Sequence, residues 1–464
     1  MIQKSKRHFM GAFQALAEKL SCPVCTGQVQ GGKDALRCEG CQAVFPVWGD
    51  FPWVFANAGE WKADWTQRFR FYLQQLHEDV QNLKMELKLL DLLPKTRERL
   101  QHLVQAKTEQ HRELEKLFEP LLLGKGPSYE QQLAAQTPLP EAQQLMGYYG
   151  NVLRDWGWGE EENQTCEDIL AAILGPHPLG TMLVLGTGPS RLAYDIHRRL
   201  GGKDTIAVDI NPFYLLVAER MLAGRNLNLY EFPIAPTDAK ASASRVKCRA
   251  PETLKQGFSF LMADAMNPCF QDASVDTLLT PWLIDIVPQD FRSFAKKLNR
   301  IMKPGARWLN FGSTVFHHRL QHLCYSREEI PDILAESGFE VLQIRENVIP
   351  YLRSPSSCQQ RSEKVFTFMA RKVQEVAPGP AYTPLPNWLS DTEMPVPIQA
   401  DMQQQMIVNL TLTQVLAQVD GQKNLRQIAE VMAPTFELPA SDVLPMLKRM
   451  FGRFVEGRGR SMNF

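Results

Sequence analysis

Between Leu145 and Arg371 short apolar runs alternate with stretches of helical periodicity. The runs predict strands at Met182–Leu185, Thr205–Val208, Asn228–Glu231, Gly257–Met262, Val275–Leu279, Arg307–Phe311, Glu340–Glu346 and Val365–Ala370. Strands separated by helices predict a doubly wound α/β domain. From Trp61 to Leu123 the pattern is different. Apolar positions recur at helical spacing through FYLQQLHEDVQNLKMELKLLDLL and RERLQHLVQAKTEQHRELEKLFEPLL, with Pro94 between them, which predicts a helical hairpin. HFMGAFQALAEKL, broken by Glu18 and Lys19, reads as a short amphipathic N-terminal helix, and residues 20–56 are turn-rich. Gly124–Pro140 is a polar, proline-bearing connection. Pro378, Pro380, Pro384, Pro386, Pro395 and Pro397 make Val373–Gln404 a semi-rigid linker. Beyond it, Asp420-Gly421 and Ser441-Asp442 introduce the helices of a small C-terminal unit. The expected division is 1–56, 57–144, 145–372, 373–404 and 405–464.

One part of the α/β region carries chemistry. MLVLGTGPSRL at Met182–Leu192 and IAVDINPF at Ile206–Phe213 make a strand, a glycine turn, a helix, a second strand and an acid. Gly186 and Gly188 would let the backbone approach an adenosine-containing cofactor, and Asp209 could accept both ribose hydroxyls. A GxG alone is often only a tight turn. Arg191 stands where a third glycine would be, which suits a dinucleotide poorly because its pyrophosphate needs a bare helix N-terminus. FSFLMADAMNP at Phe258–Pro268 ends another apolar run in Asp264, placed to hold an adenine amino group.

Cys22-Pro-Val-Cys25 and Cys38-Glu-Gly-Cys41 form two knuckles twelve residues apart. Each lets two sulfurs reach one ion, and together they complete a tetrahedral thiolate site suited to structural Zn²⁺. So small a segment needs such a staple. Redox-active dithiols are the alternative, but no thioredoxin-like context surrounds the cysteines.

Composition narrows the class. Lysine plus arginine and aspartate plus glutamate both number 51, so no global field favours nucleic acid or an anionic membrane. The basic stretches Lys4–His8 and Lys448–Arg460 read as solvated helix ends. No apolar run is long enough to span a bilayer, and nine cysteines, an odd number, suit a reducing compartment. The expectation is a cytoplasmic protein with no membrane or nucleic-acid partner; the oligomeric state is left open.

Several segments resemble known families. CxxC…CxxCxxxFPV…FPWV resembles the zinc ribbon of activator subunits of tRNA and protein methyltransferases, which implies a docking or substrate-presenting module. KPGARWL at Lys303–Leu309 resembles the turn before the fifth strand of S-adenosylmethionine methyltransferases, and the last two predicted strands resemble the antiparallel hairpin that closes their sheet. YYGNVLRDW at Tyr148–Trp156, RLA at Arg191–Ala193, LYEFP at Leu229–Pro233, DTLLTPWLID at Asp276–Asp285 and NFGSTVFH at Asn310–His317 together resemble the carnosine N-methyltransferase family over residues 145–372. That resemblance implies methyl transfer from S-adenosylmethionine to an imidazole nitrogen in a peptide, a protein or a small metabolite. It places Gly186, Gly188 and Arg191 along the methionine and ribose part of the cofactor, Asp209 (a glutamate in the family) on the ribose, and Asp264 at the adenine. Asp285 and His317 would hold the acceptor ring. A carboxylate on one ring N–H fixes the tautomer and enriches the other nitrogen, while the histidine orients the ring or relays its proton.

The chain also departs from the family, whose tyrosines just before the last strand contact the dipeptide. Here that stretch is Ser357-Cys358-Gln359-Gln360-Arg361-Ser362-Glu363. The C-terminal LTLTQVLAQVDGQKNLRQIAEVM resembles small winged or peptide-leader-binding domains, and a plain capping or dimerising helix pair is its alternative. Two other functions compete: an RNA methyltransferase using the ribbon and basic tail, and a non-catalytic methyltransferase-like scaffold.

Overall fold

The structure is a computed structural model that describes residues 13–32, 34–122, 145–254, 256–318, 320–379 and 393–460, with side chains to 451. The Lys4–His8 stretch, the Gly124–Pro140 connection, Pro380, Pro384, Pro386 and the basic side chains after Phe451 lie outside the described residues. Two units divide the chain, Met1–Tyr382 and Thr383–Phe464.

In the first unit, β1 (Val29–Gly31), β2 (Ala35–Cys38), β3 (Val44–Trp48) and β4 (Phe51–Pro52) form an antiparallel meander around the cysteine knuckles. The hairpin helices α1 (Ala58–Glu86) and α2 (Pro94–Phe118) follow, and then the short helix α3 (Tyr149–Leu153) and α4 (Glu160–Leu174). The α/β region runs β5 (Thr181–Leu185), α5 (Arg191–Arg199), β6 (Asp204–Asp209), α6 (Pro212–Leu222), β7 (Leu227–Glu231), β8 (Ser244–Cys248), β9 (Phe258–Met262) and β10 (Val275–Pro281). It ends with α7 (Phe291–Ile301), β11 (Met302–Gly312), α8 (Ile330–Glu336), β12 (Phe339–Tyr351) and β13 (Arg361–Lys372).

Seven of these strands form the central sheet, in the order β12-β13-β11-β10-β5-β6-β9. The pairs from β11 to β9 are parallel, and β13 runs antiparallel between β11 and β12. Leu183, Val184, Leu185, Ile206, Val208, Leu278 and Leu279 are buried, as strands covered on both faces require. This is the doubly wound fold with a closing antiparallel hairpin. All eight predicted strands occur. One of them, β7, leaves the main sheet and pairs with β8 in a separate ribbon.

The cysteine-bearing segment continues the sheet. Trp53 bridges Met262 in parallel, and the Val54 N–H donates to the Met262 carbonyl at 2.8 Å. Ser21 and Gln271 add N–H···O bonds of 3.0 and 2.9 Å to Cys269 and Lys19. The free side of β9, otherwise an exposed edge, is therefore covered.

The helical hairpin packs on the β7–β8 ribbon and on α6. The rings of Phe69 and Phe118 stack at 4.1 Å, and Phe118 meets Phe213 edge-on. Gln110, fully buried, accepts the Tyr230 N–H at 2.8 Å and donates to the Tyr149 hydroxyl at 2.9 Å. Gln110→Leu strands that N–H and should cost about 1–3 kcal/mol in denaturant melts.

The second unit consists of three helices, α9 (Ala400–Leu416), α10 (Leu425–Phe436) and α11 (Ala440–Arg460), around Val415, Ile428, Met432, Val443 and Leu447. Asn424 and Gln427 make a reciprocal capping box at the start of α10.

Candidate active site

Strand order reverses between β5 and β10, and in such sheets the crevice at the carboxyl ends beside the reversal is where ligands bind. The glycine turn leaves β5 there, and Trp282–Asp285 leaves β10. The two segments touch. Gly186 has φ +65°, and a Cβ on it would lie 2.9 Å from the Leu283 side chain, so only glycine fits. On the other side Trp282 takes φ +51°, rare for so bulky a residue, and its N–H donates to Phe311 O at 2.7 Å. Gly312 accommodates it, since a Cβ there would sit 2.8 Å from the Trp282 Cα.

Asp209 lies at the tip of β6, next to the turn. Its carboxylate accepts the Gly188 N–H at 2.8 Å and the Asn211 N–H at 2.8 Å. Burial pushes its carboxyl up to about 6, opposed by backbone N–H donors. A Cβ on Gly188 would meet nothing within 4 Å, so the space above that peptide is open. An open glycine turn beside a braced, buried carboxylate fits the ribose end of a nucleoside. Asp264 follows β9. It accepts the Met266 N–H at 2.8 Å and the Asn267 amide at 3.1 Å, and burial raises its carboxyl too. The buried Lys297 ammonium holds the same loop through Met266 O at 2.8 Å.

Arg191 is placed otherwise than expected. Its guanidinium is buried against Asp195, Glu160 and the Asp155 carbonyl, at 2.8 Å in each case. It braces the glycine turn from outside through the RDW segment. A cleft of about 420 Å³ opens beside it, lined also by Arg154, Trp156, Glu160 and Arg249; Asp209, Asp264 and Asp285 do not line it.

Asp285 is 5 % exposed. Its Oδ2 accepts the Ser313 hydroxyl at 2.5 Å and the Val315 N–H at 2.8 Å, both just past β11. Its Oδ1 is buried with no hydrogen-bond partner. A carboxylate fixed by one oxygen and orphaned at the other awaits a donor. His317 is two residues beyond Val315. It is exposed and makes no hydrogen bond among the described residues, so it is not brought onto Asp285.

Three tyrosines that the sequence reading did not assign to the site connect its two ends. The Tyr148 N–H donates to the Tyr214 hydroxyl at 3.1 Å. The Tyr351 ring packs 4.8 Å from that of Trp282, and its hydroxyl reaches Asn151 at 3.4 Å. Burial first, then Asp209, pushes the Tyr214 phenol up; burial, then Tyr351 and Asp285, does so for Tyr148. Apart from the tyrosine pair in the motif ahead of the glycine turn, no sequence signal marks them. Tyr230 serves the hairpin instead, with its hydroxyl on Glu109.

The model of the family described as carnosine N-methyltransferase matches residues 141–374, half of the chain. The chain belongs to the carnosine N-methyltransferase family. It is accordingly an S-adenosylmethionine-dependent methyltransferase. No curated protein matches it. Among solved structures, a Methanosarcina mazei S-adenosylmethionine-dependent methyltransferase is 16% identical, covering 45% of this chain and 98% of its own at a TM-score of 0.32. A Haemonchus contortus phosphoethanolamine N-methyltransferase, with phosphomonomethylethanolamine and S-adenosylhomocysteine, is 18% identical over 50% of this chain and 58% of its own, at 0.32. A complex of the Haloferax volcanii Trm112 methyltransferase activator with a methyltransferase gives 16%, 49%, 96% and 0.33. Among the described residues of this carnosine N-methyltransferase relative, no helix is long and apolar enough to cross a membrane.

If Asp209 and Asp264 hold the donor, its binding carries a pH signature. A ribose hydroxyl or an adenine amino group donates to an ionised carboxylate. Protonating Asp209 as pH falls through about 6 removes that acceptor, and the raised Asp264 acts in the same direction. Donor affinity measured by calorimetry should fall about tenfold from pH 7.5 to pH 5; an unchanged affinity would place the nucleoside elsewhere.

Proposed function

We propose that this methyltransferase methylates an imidazole nitrogen of a histidine-like acceptor, in a peptide, a protein or a small metabolite. The observation that carries the reading is the orphaned Oδ1 of Asp285 on the β10 exit, the segment whose Leu283 packs against Gly186 of the glycine turn. Gly186 and Gly188 would line the methionine and ribose part of the donor, Asp209 the ribose and Asp264 the adenine. Arg191 would act indirectly, by holding the turn. Bound there, S-adenosylmethionine supplies a methyl group on a sulfonium leaving group.

Asp285 Oδ1 accepts the N–H of one ring nitrogen. That contact selects the tautomer whose other nitrogen carries the lone pair, and it aims that lone pair at the donor. As the ring gains positive charge, the carboxylate stabilises it and keeps the remaining N–H until the proton leaves. That proton leaves through the Asp285 carboxylate; His317, exposed and not on Asp285, is left the role of orienting the acceptor from the same strand exit.

We also propose that Cys22, Cys25, Cys38 and Cys41 bind one structural Zn²⁺. Their sulfurs lie within 4.8 Å of one another, with Cys22–Cys41 at 3.6 Å and Cys25–Cys38 at 3.4 Å. A tetrahedron of ~2.3 Å Zn–S bonds needs about this spacing.

Labelled methyl donor offered with carnosine, free histidine, a histidine-bearing protein and RNA tests the reading. Label should enter an imidazole compound. Label in RNA alone would replace this reading with an RNA methyltransferase, and no donor binding at all would leave a scaffold.

A further inference from the structure

The loop after β9 carries Asp264, and helix α7 fastens that loop from below. Arg300, half-buried near the end of the helix, donates to the carbonyls of Pro268 and Phe270 at 2.8 and 2.9 Å. Lys297, one turn earlier, is 5 % exposed and shares the buried side of α7 with Phe294, Leu298 and Ile301. Its ammonium pairs with no carboxylate among the described residues. It donates instead to three neutral oxygens, Met266 O at 2.8 Å, Gln289 Oε1 at 2.9 Å and Asn267 Oδ1 at 3.4 Å. An ammonium buried on neutral acceptors is costly, and burial brings Lys297 down to about 8. Apolar packing alone would be served better by leucine or methionine.

Two of those three oxygens belong to the residues that aim Asp264. The Met266 N–H donates to one oxygen of the Asp264 carboxylate at 2.8 Å, and the Asn267 amide donates to the other at 3.1 Å. With the ammonium on Asn267 Oδ1, only the NH₂ is left to face Asp264, so Lys297 fixes which way that amide points. Each donor that turns the carboxylate is thus held from behind by the same charge. That charge also opposes the rise that burial causes in the Asp264 carboxyl.

We infer that Lys297 is a positioning residue for the methyl donor: through Asn267 and Met266 it aims the Asp264 carboxylate at the adenine amino group, and so lets the site tell a 6-aminopurine from a 6-oxopurine. An oxo oxygen at that place would meet the carboxylate's lone pairs with no proton between them. This inference rests on the placement of adenine at Asp264 proposed above.

Calorimetry on the full chain tests it, with S-adenosylhomocysteine and S-inosylhomocysteine as probes. Wild type should prefer the adenosyl compound by about 10–100-fold. Lys297→Met keeps the stem and removes the charge. The adenosyl compound should bind it about 5–10-fold more weakly and the inosyl compound within about a factor of two of wild type, so the preference shrinks. Asn267→Ala keeps the ammonium and breaks the link to Asp264; it should shrink the preference likewise, and it decides the matter where Lys297→Met does not fold. An unchanged preference, or both compounds weakened equally as a merely structural loss would do, would overturn the inference and leave adenine at Asp264. No preference in wild type, or a preference that survives Asp264→Ala, would overturn the placement of adenine and the inference with it.

Discussion

Asp285→Ala is expected to lower methyl transfer about a thousandfold while donor affinity stays within about a factor of two. The carboxylate lies on the β10 exit and is bonded to none of the residues assigned to ribose and adenine, so its loss leaves the donor contacts in place. The acceptor ring, however, loses the group that selects its tautomer and neutralises its charge. Asp285→Asn should be nearly as damaging, although it keeps the shape. The Ser313 hydroxyl and the Val315 N–H both need an acceptor at the Oδ2 position. The amide oxygen must take that place, and the NH₂ then faces the acceptor. An N–H donor there selects the opposite tautomer and turns the ring's own N–H toward the methyl group. Transfer rates and donor titrations on the two variants check this. Near-normal turnover in either would remove Asp285 from the chemistry.

The second large effect concerns the cysteine cluster. Stripping the metal, or Cys22→Ser, should lower the melting temperature by on the order of 10 °C, because structural zinc sites in peptides are worth about 10–16 kcal/mol and a part of that is lost here. Cys22 and Cys38 are buried, and the same segment buries Leu20, Trp53 and Val54 against the end of the sheet. Without the staple, the bonds from Val54 to Met262 and from Ser21 to Cys269 loosen. The edge of β9 is then exposed and prone to pairing with other chains. Metal analysis of the purified protein should give one zinc per chain. A zinc-free protein with an unchanged melt would make the cluster a set of ordinary thiols.

Much of this was legible in the sequence where the signal is local. Continuous apolar runs marked the inner strands β5, β6 and β10, because burial on both faces demands them. The glycine turn and Asp209 were legible because a backbone bond from Gly188 to an acid at the next strand tip needs those residue types in that order. The cysteine knuckles were legible for the same reason. What escaped is long-range. Nothing local says that β7 leaves the sheet for β8, or that Trp53 would extend it. Arg191 looked like a cofactor residue because it borders the turn, but its partners Glu160 and Asp155 lie far back in the chain. Tyr148, Tyr214 and Tyr351 come from three separated segments, and only folding gathers them. Asp285 is singled out in the sequence by its position after the fourth strand, whereas its orphaned Oδ1 is visible only in the structure.

The most direct measurement is the bond formed. Donor carrying a ¹³C methyl group, incubated with carnosine labelled with ¹⁵N in the imidazole ring, yields a product whose NMR spectrum reports that bond. One-bond coupling between the methyl carbon and a single ring nitrogen, absent with Asp285→Ala, is the predicted result. A methyl group found on the amine or carboxylate, or a ring methylated equally well without Asp285, would contradict it.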